Sequence, residues 1–219
     1  MKGALFDMDG TLTDSMRYWR YAALEYILHH SWPLYQDILD KMLYNSSRVT
    51  IPETAQRIGI NITTDEFLPE LHMYMQRHYE QDVSLKSGCA GMLQRLRDSG
   101  VRCMVTTATP TYGAVAAMGR LGTAKYFDII SGYGDVPYEK SRPEYWLACA
   151  GRLGTDPEET VVFEDAVYAM RGAKAAGMRV CSMYDLTQDK DREEINRLSD
   201  VALRQWDELT PSVIEYLYR

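Results

Sequence analysis

The chain of 219 residues is short of several features that would each direct its reading. It has four cysteines, Cys89, Cys103, Cys149 and Cys181, and no two of them form a Cys-x-x-Cys pair. That spacing gives no sign of a zinc site or a dithiol redox motif. Scattered thiols in a chain of this length read as reduced, in a cytoplasmic setting. No apolar run is long enough to cross a membrane. Charge returns at Asp7 and Asp9 soon after Lys2, so the N-terminus leaves no room for the apolar stretch of a signal peptide. Basic charge is not in excess: 24 Lys and Arg face 31 Asp and Glu, a net charge of −7. Nucleic acid and anionic membranes are therefore disfavoured as partners. An anionic substrate would need local positive charge from a metal, a Lys or an Arg. There is no internal repeat and no low-complexity segment.

What is present is ordinary globular material, 46% hydrophobic and 25% charged. The length allows one large domain, or a core with a smaller insert. Ala4-Leu5-Phe6 is a short apolar run of the kind that forms a buried strand. Residues 15–85 then carry about four helices and no convincing strand. The first spans 15–30 and stops at Trp32-Pro33, and the second covers 34–44. Thr50-Ile51-Pro52-Glu53 reads as a capping box opening a third, and Thr63-Thr64-Asp65-Glu66 opens a fourth. From Lys86-Ser87-Gly88 onward, helix and strand alternate. Strands are expected at 101–106, 128–131, 160–163 and 178–182, with a last edge strand at 201–203. Helices are expected at 89–98, 111–121, 142–152 and 167–176, and a final one from Pro211. Such alternation argues for an α/β fold with a doubly wound, Rossmann-like parallel sheet. The core then comprises 1–14 and 86–219, with a small four-helix cap (15–85) inserted after the first strand. Thr13–Ser15 and Leu85–Ser87 are candidate hinges. The charge-dense Asp185–Glu194 reads as a solvated loop or helix start.

Four stretches fall where such a sheet places its ligands, at the C-terminal strand tips. Asp7 and Asp9 end the first strand where Gly10 breaks it. Two carboxylates this close repel each other unless a shared proton or a hard cation such as Mg²⁺ relieves them. Thr106-Thr107-Ala108-Thr109-Pro110 ends the second strand with hydroxyls and N–H groups that can hold phosphate oxygens. Lys140-Ser141-Arg142-Pro143-Glu144 places an ammonium ahead of a helix start. Val161-Val162-Phe163-Glu164-Asp165 is a buried strand that ends in two acids. Each stretch alone also fits something plainer: an acidic turn, a Thr N-cap, a surface Lys, an Asp N-cap.

Together and in order, they resemble the haloacid dehalogenase-like hydrolases. Asp-x-Asp-Gly-Thr-Leu-x-Asp matches the first motif of that family. Lys140 departs from the usual Lys-Pro-x-Pro-Asp by Ser141 and Glu144. Glu164-Asp165 matches the fourth motif, with Ala166 for its Ser and Ala169 for its Gly. The helical insert resembles the cap of the subfamily of phosphoglycolate phosphatase and β-phosphoglucomutase.

The resemblance implies catalytic roles for Asp7, Asp9, Thr107 and Lys140. It implies phosphate or substrate contacts from Gly10, Thr107, Ala108 and Lys140, with a slip to Thr106 left open. Arg48 is a candidate for the distal part of the substrate. Mg²⁺ would be held by Asp7, the backbone carbonyl of Asp9, Asp165 and Glu164, the last directly or through water. The expected activity is Mg²⁺-dependent hydrolysis of a small phosphorylated metabolite through an aspartyl-phosphate, by a monomer or weak dimer. A phosphosugar mutase is the alternative, disfavoured by Trp19 where that enzyme has a cap His and by Asp-Gly-Thr where it tends to have Asp-Gly-Val. A non-catalytic phosphate-ligand binding protein would be expected to lack one of the acids. Arg77, Tyr18 and Trp19 are weaker candidates, the aromatics being adequately explained by core packing.

Overall fold

The computed structural model describes residues 2–219. Strand β1 (Gly3–Phe6) lies at the centre of a six-stranded sheet with β2 (Arg102–Thr106), β3 (Ile129–Ser131), β4 (Thr160–Glu164), β5 (Arg179–Met183) and β6 (Val201–Leu203). The order is β3-β2-β1-β4-β5-β6, and every pairing is parallel. β1 is buried along its whole length, as a central parallel strand with both faces covered must be.

Side-chain alternation divides the core between the two faces. Ala4 and Phe6 join Cys103, Val105, Val161 and Phe163 on one face, where Phe6 stacks on Phe163 at 4.5 Å. Helices α5 (Cys89–Asp98), α6 (Thr111–Arg120) and α10 (Pro211–Leu217) add buried residues to that face. Leu5, Met104, Val162 and Val180 face the other way, toward α7 (Pro143–Leu153), α8 (Val167–Ala175) and α9 (Arg192–Leu198).

Helices α1 (Met16–His29), α2 (Gln36–Lys41), α3 (Ser47–Arg57) and α4 (Thr64–Gln81) all lie between β1 and β2 in sequence. They bury Ala23 and Ile27 of α1, Ile38 of α2, Ile51 of α3, and Phe67 and Leu71 of α4. α2 is shorter than its apolar pattern suggested. α3 begins at Ser47, not at Thr50, so Pro52 lies beyond its first turn. Thr50 is buried inside the helix, and its hydroxyl donates back to the Ser46 carbonyl at 3.4 Å. At the start of α4 the Thr63 N–H donates to the Glu66 carboxylate at 2.7 Å, as the capping pattern indicated. The two junctions of the insert lie side by side: the Asp14 N–H donates to the Ser84 carbonyl and the Lys86 N–H to the Leu12 carbonyl, both at 2.9 Å. Among the described residues no helix is long and apolar enough to cross a membrane.

Candidate active site

The C-terminal tips of β1, β2 and β4 open into a cavity of about 790 Å³ that the helical insert faces from above. Asp7 follows the last residue of β1, and its N–H is fixed by the Phe163 carbonyl of β4 at 2.9 Å. The chain then turns through Gly10, whose φ of +90° favours glycine. A Cβ at Gly10 would also lie 2.6 Å from Asp165 Oδ2, so the loop and β4 can approach only with glycine there. Trp206, fully buried, donates its indole N–H to the Thr11 carbonyl at 3.2 Å and pins the loop from behind.

Lys140 Nζ donates to Asp7 Oδ1 at 2.7 Å and to Glu164 Oε1 at 2.5 Å, with all three groups buried. Its backbone is held by the Trp146 indole, which donates to the Lys140 carbonyl at 2.7 Å. α8 packs directly beneath: a Cβ at Gly172 would lie 2.2 Å from that same carbonyl. Glu164 Oε2 accepts the N–H groups of Asp165 and Ala166, each at 2.9 Å, so both its oxygens are engaged. Asp165 Oδ1 accepts from the Thr11 hydroxyl at 3.3 Å. Asp7 Oδ2 is buried with no hydrogen-bond partner.

The electrostatics follow from burying three acids around one ammonium. Burial pushes the Asp7 carboxyl up to about 7, against the pull of Lys140 and with Glu164 and Asp9 adding to the rise. Burial, then Glu164 and Asp7, push Asp165 well above the usual carboxylate range. Burial works against the Lys140 charge, but Asp7 and Glu164 overcome it and hold its pKa well above the ordinary lysine value.

Asp7, Glu164 and Asp165 can each offer an oxygen within 4.8 Å of the others. Hard oxygen donors and an excess of buried negative charge fit a Mg²⁺-type cation. The Asp9 side chain lies outside this cluster. Its carboxylate is taken up by the hydroxyls of Ser15 (2.6 Å), Tyr79 (2.7 Å) and Thr109 (2.7 Å).

Of the other expected residues, Thr107 and Ala108 line the cavity. Thr106 does not; its hydroxyl is buried without a partner. Gly10 donates its N–H to the Thr13 carbonyl at 3.1 Å. Its visible role is to admit Asp165. Arg48, at the start of α3, is exposed at the cavity wall. Trp19 is half-buried against the hydrophobic core, as expected, and also lines the cavity, its ring edge-on to His72 at 5.8 Å. Burial, and then Arg48, lower the His72 imidazole to about 4, so it is neutral at ordinary pH.

Several neighbours of the site carry no motif in sequence. In sequence Tyr79 is one more apolar position of α4, and Thr109 is one of several threonines at a strand end. Asp185, expected in solvent, is buried. It accepts Lys86 Nζ at 3.1 Å and the Thr187 hydroxyl at 2.6 Å. The turn after it reaches the insert, where Lys190 donates to Asn45 Oδ1 at 2.8 Å. Only the charge density of this segment was visible in sequence, and charge density alone favours solvent.

An all-parallel sheet with acids and a lysine gathered at its central strand tips, under a helical insert, defines a class of hydrolases. The chain belongs to the haloacid dehalogenase-like hydrolase family, whose model matches residues 4–183. It is 32% identical over 179 residues to fructose-1-phosphate phosphatase YqaB of Escherichia coli K12, covering 80% of this chain and 93% of that protein. It is 26% identical over 178 residues to a phosphorylated carbohydrates phosphatase of Thermotoga maritima, covering 81% of this chain and 82% of that one. The fold also matches the crystal structure of β-phosphoglucomutase from Clostridium difficile, with a TM-score of 0.77 at 18% identity over 100% of this chain and 97% of that one.

Proposed function

We propose that this hydrolase is a Mg²⁺-dependent phosphatase of small phosphorylated carbohydrates, working through an aspartyl-phosphate on Asp7. The observation that carries this is the Asp7 carboxylate itself: one oxygen is held by Lys140, and the other is buried without a partner. A carboxylate anchored at one oxygen and free at the other is oriented for nucleophilic attack. The names of the two phosphatase relatives supply the substrate class.

In this reading Asp7 Oδ2 attacks phosphorus, and the bond from phosphorus to the leaving oxygen breaks. Asp9 gives that oxygen a proton. Asp9 then accepts a proton from the water that cleaves the acyl phosphate, which restores Asp7. Lys140 offsets the repulsion between Asp7 and the incoming phosphoryl group, a charge effect strengthened by burial. Thr107 and the Ala108 N–H receive phosphoryl oxygens. Asp7, Asp165 and the Asp9 carbonyl would hold Mg²⁺, which supplies positive charge against the phosphate oxygens. Glu164, with both oxygens engaged, would act from behind, through Lys140 or water. Residues 15–85 act as a cap that excludes bulk water, and Arg48 meets the distal part of the substrate.

The test is phosphate release across a panel of phosphomonoesters, with Mg²⁺ and with EDTA, for wild type and Asp7→Asn. Mg²⁺-dependent release, lost with EDTA and in Asp7→Asn, is expected, with sugar phosphates leading the panel. Interconversion of glucose 1-phosphate and glucose 6-phosphate without release would replace the phosphatase with a mutase. Binding of phosphate esters with neither activity would leave a binding protein.

A further inference from the structure

The Asp9 carboxylate is surrounded by hydroxyls from three separate parts of the chain. Ser15 and Tyr79 donate to Oδ1 at 2.6 and 2.7 Å. Thr109 donates to Oδ2 at 2.7 Å, and Thr107 lies at 3.4 Å from the same oxygen. The Tyr79 and Thr109 hydroxyls are themselves 2.9 Å apart, so Asp9, Tyr79 and Thr109 close a ring of short oxygen contacts. Tyr79 stands on α4 of the helical insert, whereas Thr109 follows β2 in the sheet domain.

The arrangement is built around Tyr79. Its ring is fully buried. α6 makes room for it with Gly113, where a Cβ would lie 3.1 Å from Thr109 Cγ2 and 3.2 Å from Tyr79 Cδ2. Arg120, one helix end away, donates to the Tyr79 carbonyl at 2.9 Å and also to the Val83 carbonyl. The backbone that carries the phenol is thus tied to the sheet domain at the point where the insert returns to it. A carboxyl group can rotate about its Cβ–Cγ bond unless both oxygens are held, and here both are. A hydroxyl both donates and accepts, so the same partners hold the group with or without a proton.

We propose that Tyr79 and Thr109 are positioning residues for Asp9, fixing its carboxyl group so that it protonates the leaving oxygen. The proposal rests on the phosphatase reading. In the step concerned the phosphorus–oxygen bond breaks, its electron pair stays on the leaving oxygen, and that oxygen takes the Asp9 proton. An alkoxide needs that proton; p-nitrophenolate leaves without it.

The experiment compares kcat and KM for wild type, Tyr79→Phe, Thr109→Val and Thr109→Ser. The substrates are the best alkyl phosphate of the panel and p-nitrophenyl phosphate. Tyr79→Phe and Thr109→Val should each lower kcat on the alkyl phosphate by about 10- to 100-fold, at most the lower end of what a general acid contributes, because Asp9 itself is kept. KM should stay within about 2-fold, and the loss of kcat/KM on p-nitrophenyl phosphate within about 3-fold, because kcat/KM there covers only the steps through departure of p-nitrophenolate, which needs no proton, and not the later hydrolysis in which Asp9 acts as base. Thr109→Ser, which keeps the hydroxyl, should retain most of the alkyl phosphatase rate. Equal losses of kcat/KM on both substrates would indicate a structural effect and overturn the proposal. Wild-type rates in both variants, or a gain, would overturn it as well. If Asp7→Asn is inactive while Tyr79→Phe behaves as wild type, the positioning role falls and the phosphatase stands. If wild type releases phosphate from no ester, both fall.

Discussion

Tyr145, in the first turn of α7, brings its hydroxyl to the cavity wall, buried with only the weak Cys149 thiol as a partner. Burial is the main reason its pKa is raised far above the usual phenol value. A buried hydroxyl left without a good partner costs on the order of 1–3 kcal/mol. Tyr145→Phe should therefore leave stability unchanged or raise it by up to about 1 kcal/mol, as read from urea midpoints without substrate. A drop in stability would show that the hydroxyl has a good partner in solution. At this scale the sequence showed the charged groups well. Asp7, Lys140, Glu164 and Asp165 stand in short motifs next to strand ends, and their type and position restrict their chemistry. It showed the hydroxyls poorly. Tyr79 and Thr109 fit a core position and a threonine-rich strand end equally well, and their partner Asp9 is brought to them only by folding.

At the scale of elements, strand and helix alternation after residue 86 was readable because buried parallel strands are short apolar runs and their helices end at glycines. The insert was harder. Its helices pack mainly on one another, and Pro52 drew the expected start of α3 three residues too late. Gly172 shows what pattern reading misses. In sequence it is one small residue inside α8; in the structure it is the only reason that helix can lie against the Lys140 carbonyl. In Gly172→Ala, a methyl 2.2 Å from that oxygen must push α8 or the Lys140 segment away. Helix propensity alone would favour alanine by about 1 kcal/mol. The clash should outweigh this, for a net loss of about 1–3 kcal/mol and a fall in kcat larger than the change in KM. A stabilised, fully active Gly172→Ala would mean that α8 and the Lys140 segment separate without cost. Gly151→Ala on α7, with nothing near its would-be Cβ, is the control and should be neutral or stabilising.

Over the whole molecule, the site is a concentration of buried negative charge in a chain that is already acidic. Asp7 and Asp165 both have folded-state pKa values raised above those of the unfolded chain, chiefly by burial. The folded state therefore holds these protons more tightly than the unfolded state. Their stabilising contribution is complete below the ordinary carboxylate pKa and is lost as pH rises through the folded values, near 7 for Asp7. His72 has the opposite sign. Its folded pKa is lowered to about 4, so it costs stability as pH falls below the ordinary histidine value near 6.5. The two effects separate above pH 6.5, where His72 is neutral in both states. In EDTA, stability should fall between pH 6.5 and 8, by at most about 1.4 kcal/mol per pH unit for each proton released. Asp7→Asn should flatten that slope and be more stable than wild type at pH 8, while losing activity. Saturating Mg²⁺ should flatten the wild-type slope too, because a bound cation replaces the protons, and the gain in stability should grow with metal concentration. Thermal unfolding at pH 6.5, 7.25 and 8, in EDTA and in Mg²⁺, measures all of this. A melting temperature in EDTA that is flat or rising across that window would mean that Lys140 alone balances the acids. The cluster would then need no cation to be stable, and the metal would serve only the incoming phosphate.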